Sequence, residues 1–179
     1  NTCFAKGQNN QIWFGTYPAV FGFDGELFSS IDDQSLELNG QSEYMHVRSI
    51  FEDSRGNLWI GNNGLGLLVY NGEKIVNFTK KHRLTNEHFT IHHQISDNTR
   101  TLARIFSIEE DADGNLWFGT ADAGAWKYDG QNLKNYNSSH GFENHFIKVM
   151  YCDDDGVMWF GTPSGVYHKS GKEKFSRVF

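Results

Sequence analysis

Two cysteines in 179 residues are too few for a small secreted scaffold stapled by several disulfides. No stretch approaches the ~18 consecutive apolar residues that a membrane-spanning helix requires. Basic charge is also short, with 16 Lys+Arg against 22 Asp+Glu and a formal net charge of −6. This balance argues against non-specific nucleic-acid binding, which runs on basic surfaces. Chemistry-bearing motifs are missing as well. There is no Gly-x-Ser-x-Gly elbow, no His-Glu-x-x-His, no phosphate-cradling glycine loop before a helix and no Cys-x-x-Cys. No segment carries an i, i+3, i+4, i+7 apolar stripe of helical length. The first residue is Asn1 rather than Met, which reads as a processed or excised product.

Aromatic residues are plentiful: 15 Phe, 7 Tyr and 5 Trp, with 19 Gly. Such a set fills a core with large apolar area per side chain and argues against disorder. Four of the five tryptophans stand in one phrase: Trp13-Phe14-Gly15-Thr16, Trp59-Ile60-Gly61-Asn62, Trp117-Phe118-Gly119-Thr120 and Trp159-Phe160-Gly161-Thr162. Acidic turns ending in glycine precede three of them, at 52–56, 110–114 and 153–156, and a looser turn at 6–10 precedes the first. A second polar turn follows each phrase, at Asp24-Gly25, Asn71-Gly72, Asp129-Gly130 and Ser170-Gly171. Short apolar runs between Asp-Gly and Asn-Gly turns are hairpin chemistry, because Gly takes the positive φ that tight turns need. In the second copy the strands are expected at 47–52, 57–61, 65–70 and 74–79.

Four strands per repeat of some 40–50 residues is the pattern of a β-propeller, one repeat per blade. The expected fold is all-β, one domain over 1–179 with blades at approximately 1–31, 45–80, 101–137 and 145–179, and an insertion at approximately 82–100. The tryptophans are read as fold-building, in equivalent buried positions. Four in-phase copies favour a closed, monomeric four-bladed ring. Half of an eight-bladed dimer and a fragment of a larger propeller are the alternatives. Cys3 and Cys152 fall on the innermost strands of the first and last blades. A closed ring makes those blades neighbours, so Cys3 and Cys152 are a disulfide candidate, with two buried free thiols as the other reading.

The phrases Asp-Ser-Arg-Gly-Asn-Leu-Trp-Ile-Gly at 53–61 and Asp-Ala-Asp-Gly-Asn-Leu-Trp-Phe-Gly at 111–119 resemble two-component regulator propeller repeats. So do Gly-Leu-Leu-Val-Tyr-Asn-Gly at 66–72 and His-Gly-Phe-Glu-Asn at 140–144. Those repeats build the extracytoplasmic, ligand-sensing propellers of bacterial hybrid sensor kinases. The resemblance implies a periplasmic or secreted location and a role in signal transduction.

The acidic turns need no calcium, since each simply joins two strands, and no cofactor or metal is expected. Of the 8 histidines, His82, His88, His92 and His93 crowd the longest spacer, and His140 and His145 partly repeat that pattern. Adjacent histidines on a strand point to opposite faces, which disfavours a shared metal ion. Loops between the second and third strands, and between blades, collect on one face of a propeller. That face gathers Tyr17, Asn62, Asn63, Asp122 and Ser164 from the inner loops, and His46, His88 and His145 from the connections. Such a polar and aromatic set suits a small-ligand or peptide pocket. The first functional reading is a non-enzymatic, sensor-like module that binds an unidentified small ligand or protein partner. A propeller lyase with a histidine base and a purely structural scaffold are the alternatives.

Overall fold

Each Trp phrase forms the second strand of a four-stranded antiparallel meander. The computed structural model describes residues 3–36, 45–85, 101–169, 171 and 173–179. Blade one comprises β1 (Cys3–Lys6), β2 (Ile12–Gly15), β3 (Val20–Phe23) and β4 (Phe28–Ile31). Blade two comprises β5 (Val47–Glu52), β6 (Leu58–Asn62), β7 (Leu67–Tyr70) and β8 (Ile75–Asn77). Blade three follows with β9 (Ile105–Glu110), β10 (Leu116–Thr120), β11 (Ala125–Tyr128) and β12 (Leu133–Tyr136). Blade four has β13 (Val149–Cys152), β14 (Met158–Thr162), β15 (Gly165–Lys169) and β16 (Phe175–Arg177). Within every sheet the strands lie in chain order. The chain is an all-β propeller of four four-stranded blades.

In blade two β5 spans the expected residues and β6 is shifted by one, whereas β7 is shorter and the last strand gives way to a helical turn, α1 (Phe78–Lys81). Asn77 is the reason: its side chain accepts the backbone N–H of Lys80 at 2.8 Å and so starts a helix where the strand would continue. Thr79 on that turn is fully buried. Its hydroxyl accepts the Leu67 N–H at 2.8 Å and donates to the Leu102 carbonyl at 3.1 Å. A 3-10 turn at Ser138–His140 ends blade three in a related way, capped by Asn137. No helix among the described residues is long and apolar enough to cross a membrane.

Contacts divide the chain into two compact units. Blades one and two, with Leu102–Ile105, form the first, and blades three and four form the second. The core of the first unit packs Trp13, Val20 and Ile31 of blade one against Ile50, Ile60 and Leu68 of blade two. In the second, Trp117, Ala125 and Tyr136 of blade three meet Met150, Phe160, Tyr167 and Phe175 of blade four. Three of the four repeat tryptophans are buried as expected, but Trp159 is partly exposed. It stands on the side of blade four opposite to the one that packs on blade three.

The sequence leaves two readings of the cysteines, a disulfide or two free thiols. Both are free thiols. Cys3 packs with the core between blades one and two, its sulfur against Gly15. Cys152 belongs to the core of blades three and four, where Glu109 and Asp111 of blade three lie close enough to act on its charge. Each sulfur is thus committed to its own unit rather than to the other cysteine.

Candidate functional site

One acidic side chain in each acidic turn is consumed by the fold. In blade two the Oδ1 of Asp53 accepts the N–H groups of Arg55 at 3.0 Å and Asn57 at 2.8 Å, and its Oδ2 accepts the Trp59 indole N–H at 2.8 Å. Asp111 does the same for Asp113, Asn115 and Trp117, and Asp153 for Asp155, Val157 and Trp159. One carboxylate thus closes the turn and fixes an indole six residues on. Burial pushes the Asp111 carboxyl up, but the Trp117 indole, the Asn115 N–H and Lys127 (3.0 Å) outweigh it and hold it below its ordinary range. The Trp159 indole and the Val157 N–H likewise hold Asp153 low. Among the described residues, no three His, Cys, Asp or Glu side chains cluster as a metal site would require.

Blade one breaks this rule. Six residues before Trp13 the chain has Gly7 instead of Asp. The carboxylate comes from the neighbouring blade: Glu52 Oε2 accepts the Trp13 indole N–H at 2.6 Å, and its Oε1 accepts the Gln8 N–H at 2.8 Å. A Cβ on residue 7 would collide with that carboxylate, so the glycine is what admits it. The substitution was legible in the repeat register, although the sequence reading saw only a looser turn.

Of the residues expected to meet a ligand, one set lies in the inner loops of the first unit and another in those of the second. In the first unit Tyr17 is 61% exposed and meets the half-buried His46 edge-on, with ring centroids 5.2 Å apart. The His46 N–H donates to Asn62 Oδ1 at 3.1 Å, and its carbonyl accepts the Asn63 N–H at 3.0 Å. Asn62 lies within β6 and is fully buried, so it positions His46 and offers nothing to a ligand. Asn63 accepts the Arg104 Nε–H at 3.0 Å across an isolated bridge. Arg104 precedes its innermost strand at the same offset as His46, a repeat position the sequence reading passed over. Arg48 sits at a β-bulge in β5 and acts on His46 from close by. Burial first, and then the Arg48 charge, hold the His46 imidazole below its usual range.

The second unit carries a parallel set. Half-buried Asp122 sits in the β10–β11 turn, where the Gly124 N–H donates to the His145 carbonyl at 2.9 Å. Ser164 exchanges a hydrogen bond with the Thr162 hydroxyl at 3.1 Å. His88 falls outside the described residues, as do His92 and His93.

A separate cleft of about 1030 Å³ lies between blades one and two, lined among others by Trp13, Ser29, Ser30, Glu52, Leu68 and Lys74. Its origin is visible in the register. The blade three to four joint is filled by Tyr136, Phe160, Tyr167 and Phe175, where the blade one to two joint has Ile31, Ile60, Leu68 and Ile75. Aliphatic side chains in place of aromatic rings leave the space. No sequence motif announces this cleft, because each substitution is conservative by itself.

Comparison with known proteins follows the same lines. The two-component regulator propeller family model matches residues 42–64, 101–122 and 141–164. No curated protein matches the chain. Among solved structures, the extracellular domain of a hybrid two-component system from B. thetaiotaomicron superposes with a TM-score of 0.71 at 24% identity, over 99% of this chain and 22% of that one. The extracellular domain of a one-component system from the same organism gives 0.70 at 20% identity, over 100% of this chain and 25% of that one. A virginiamycin B lyase from Staphylococcus aureus, solved with quinupristin, gives 0.63 at 11% identity, over 97% and 53%. The chain thus spans about a quarter of the sensor ectodomains and about half of the lyase. At these identities the superpositions show a shared fold. The matched segments, which carry the Trp59, Trp117 and Trp159 phrases and the inner loops after them, are similar to two-component regulator propeller repeats.

Proposed function

We propose that this chain is propeller of an extracytoplasmic, sensor-like protein, periplasmic or secreted, that binds a small ligand or a protein partner without catalysis. The observation that carries it is the division of labour in each repeat. Acidic turns spend their oxygens on indoles and backbone, whereas the inner loops present different side chains in each blade. Tyr17 is the clearest of these, an exposed ring braced by His46, which Asn62 and Asn63 hold in turn. Exposed aromatics on positioned loops are binding chemistry, because a flat ring offers large contact area at little entropic cost. The family supports the sensor reading, since its similar structures include extracellular domains of signalling systems.

The cleft between blades one and two supports a second location for the ligand on the same module. A thermal-shift screen of oligosaccharides and short peptides, with hits measured by calorimetry, separates the two. Tyr17→Ala is expected to weaken a hit at least tenfold while Ser30→Phe, which fills the cleft, leaves it unchanged. The reverse ranking moves the site to the cleft. Chemical turnover of a hit would overturn the non-catalytic reading.

A further inference from the structure

Two of the six arginines of this chain, whose net charge is −6, gather about the inner loops of the first unit. A repeated pairing brings them there. The residue four beyond each repeat tryptophan is Tyr17, Asn63, Ala121 or Pro163, so the fold asks for no polar group at that place. In blades one and two this residue meets the one just before the next innermost strand. Tyr17 meets His46 edge-on, with ring centroids 5.2 Å apart, and Asn63 accepts the Arg104 Nε–H at 3.0 Å. The Asn63 N–H donates to the His46 carbonyl at 3.0 Å, which joins the two pairs into one row. Arg48 enters at the β5 bulge, and its charge acts on His46. Blade three carries Phe106 at the same offset from its tryptophan, so the repeat does not require an arginine there either. Bulges are a common means of re-aiming a side chain next to a functional site.

We propose that Arg48 and Arg104 hold the oxyanion of a small ligand, a carboxylate or a phosphate, whose adjoining flat part lies on Tyr17. The inference rests on the ligand site read above at Tyr17 and His46, and gives that site its chemistry. A guanidinium fork matches a carboxylate or a phosphate with two parallel N–H bonds, whereas an ammonium acts only as a point charge. The bond from Arg104 to Asn63 fixes the plane of one fork before a ligand arrives, so less side-chain freedom is lost on binding. Burial and the Arg48 charge keep the His46 imidazole below its ordinary range, so at neutral pH the positive charge of the row comes from the two arginines. Tyr17, 61% exposed, supplies flat contact area beside that charge.

Phenyl phosphate, benzoate and neutral benzamide are the probes, titrated into the wild-type chain at neutral pH and followed by chemical shifts. Both anions are expected to bind in the millimolar range, with perturbations centred on Tyr17, His46 and Asn63, and benzamide at least tenfold more weakly. Either order of the two anions supports the proposal, phenyl phosphate first assigning a phosphate and benzoate first a carboxylate. Arg104→Gln and Arg48→Gln should each weaken both anions at least fivefold. Lys81→Gln, which removes the same charge from an exposed position on α1, should leave them unchanged. Raising salt from about 20 to about 200 mM should weaken them severalfold in the wild-type chain, a readout that does not depend on how well a variant folds. Anions that bind no better than benzamide overturn the proposal. So does an equal loss in all three variants, which would mean that only net charge is felt. If benzamide matches the anions and loses its signal in Tyr17→Ala, the anionic chemistry falls while the site at Tyr17 stands.

Discussion

At the scale of single residues, one carboxylate per blade does more than turn composition reveals. Asp111 sits in the acidic phrase with Asp113, and the repeat register already separates them: Asp111 recurs as Asp53 and Asp153 six residues before each Trp, whereas Asp113 aligns with Arg55 and Asp155. Asp111 accepts two backbone N–H groups and an indole, while Asp113 is exposed and contributes its backbone N–H. Trp117→Ala is expected to cost ~3–5 kcal/mol, as for a large aromatic removed from a core. Asp111→Ala should cost ~1–3 kcal/mol, the range for a hydrogen bond to a charged group with its orphaned donors. Asp113→Ala should stay within ~0.5 kcal/mol. Urea melts check this ranking. A pH dependence follows with a definite sign. The folded-state pKa values of Asp111 and Asp153 are depressed, so their stabilisation is present above the unfolded carboxyl pKa near ~3.9. It is lost as pH falls from there through the folded values. Melting temperature should drop below about pH 4, and Asp111→Asn should flatten that drop. An equally steep drop in the variant would place the acid sensitivity elsewhere.

Element by element, the blades are alike in backbone and unlike in how they join. Blade one has lost its own carboxylate and borrows Glu52 from blade two, a hydrogen bond across the joint that the other described joint does not need. Glu52→Ala should therefore loosen the pair of blades by ~1–3 kcal/mol, since it strands the Trp13 indole and the Gln8 N–H. Gly7→Asp should also destabilise, by crowding two carboxylates into one place. The double variant should recover much of the loss, because it restores the arrangement of the other three blades. Simple additivity of the two losses in a double-mutant cycle would refute the exchange. The strand signals and turns were legible from period-two alternation and Asp-Gly or Asn-Gly pairs. The helical turn at Phe78–Lys81 was not, because a lone Asn reads equally well as a strand end and as a cap.

For the whole molecule, the thiols give a direct check. Unfolded without reductant, the chain should yield two reactive thiols with an aromatic disulfide reagent. In the native state at neutral pH both should react slowly, because burial raises each thiol, with nearby carboxylates adding to the effect at Cys152. No reactive thiol in denaturant would mean a disulfide after all. Sequence alone determined the number of blades, their strand order and the structural duty of the tryptophans, because those depend on local alternation and turns repeated at fixed offsets. It also named Tyr17 and His46, whose meeting follows from where propeller loops gather. Only the tertiary structure decided that Asn62 is buried, that Glu52 stands in for a missing aspartate, and that a cleft opens where aliphatic side chains replace rings. Those outcomes depend on which side chain from a neighbouring blade fills a given volume, and spacing along one chain carries no record of that.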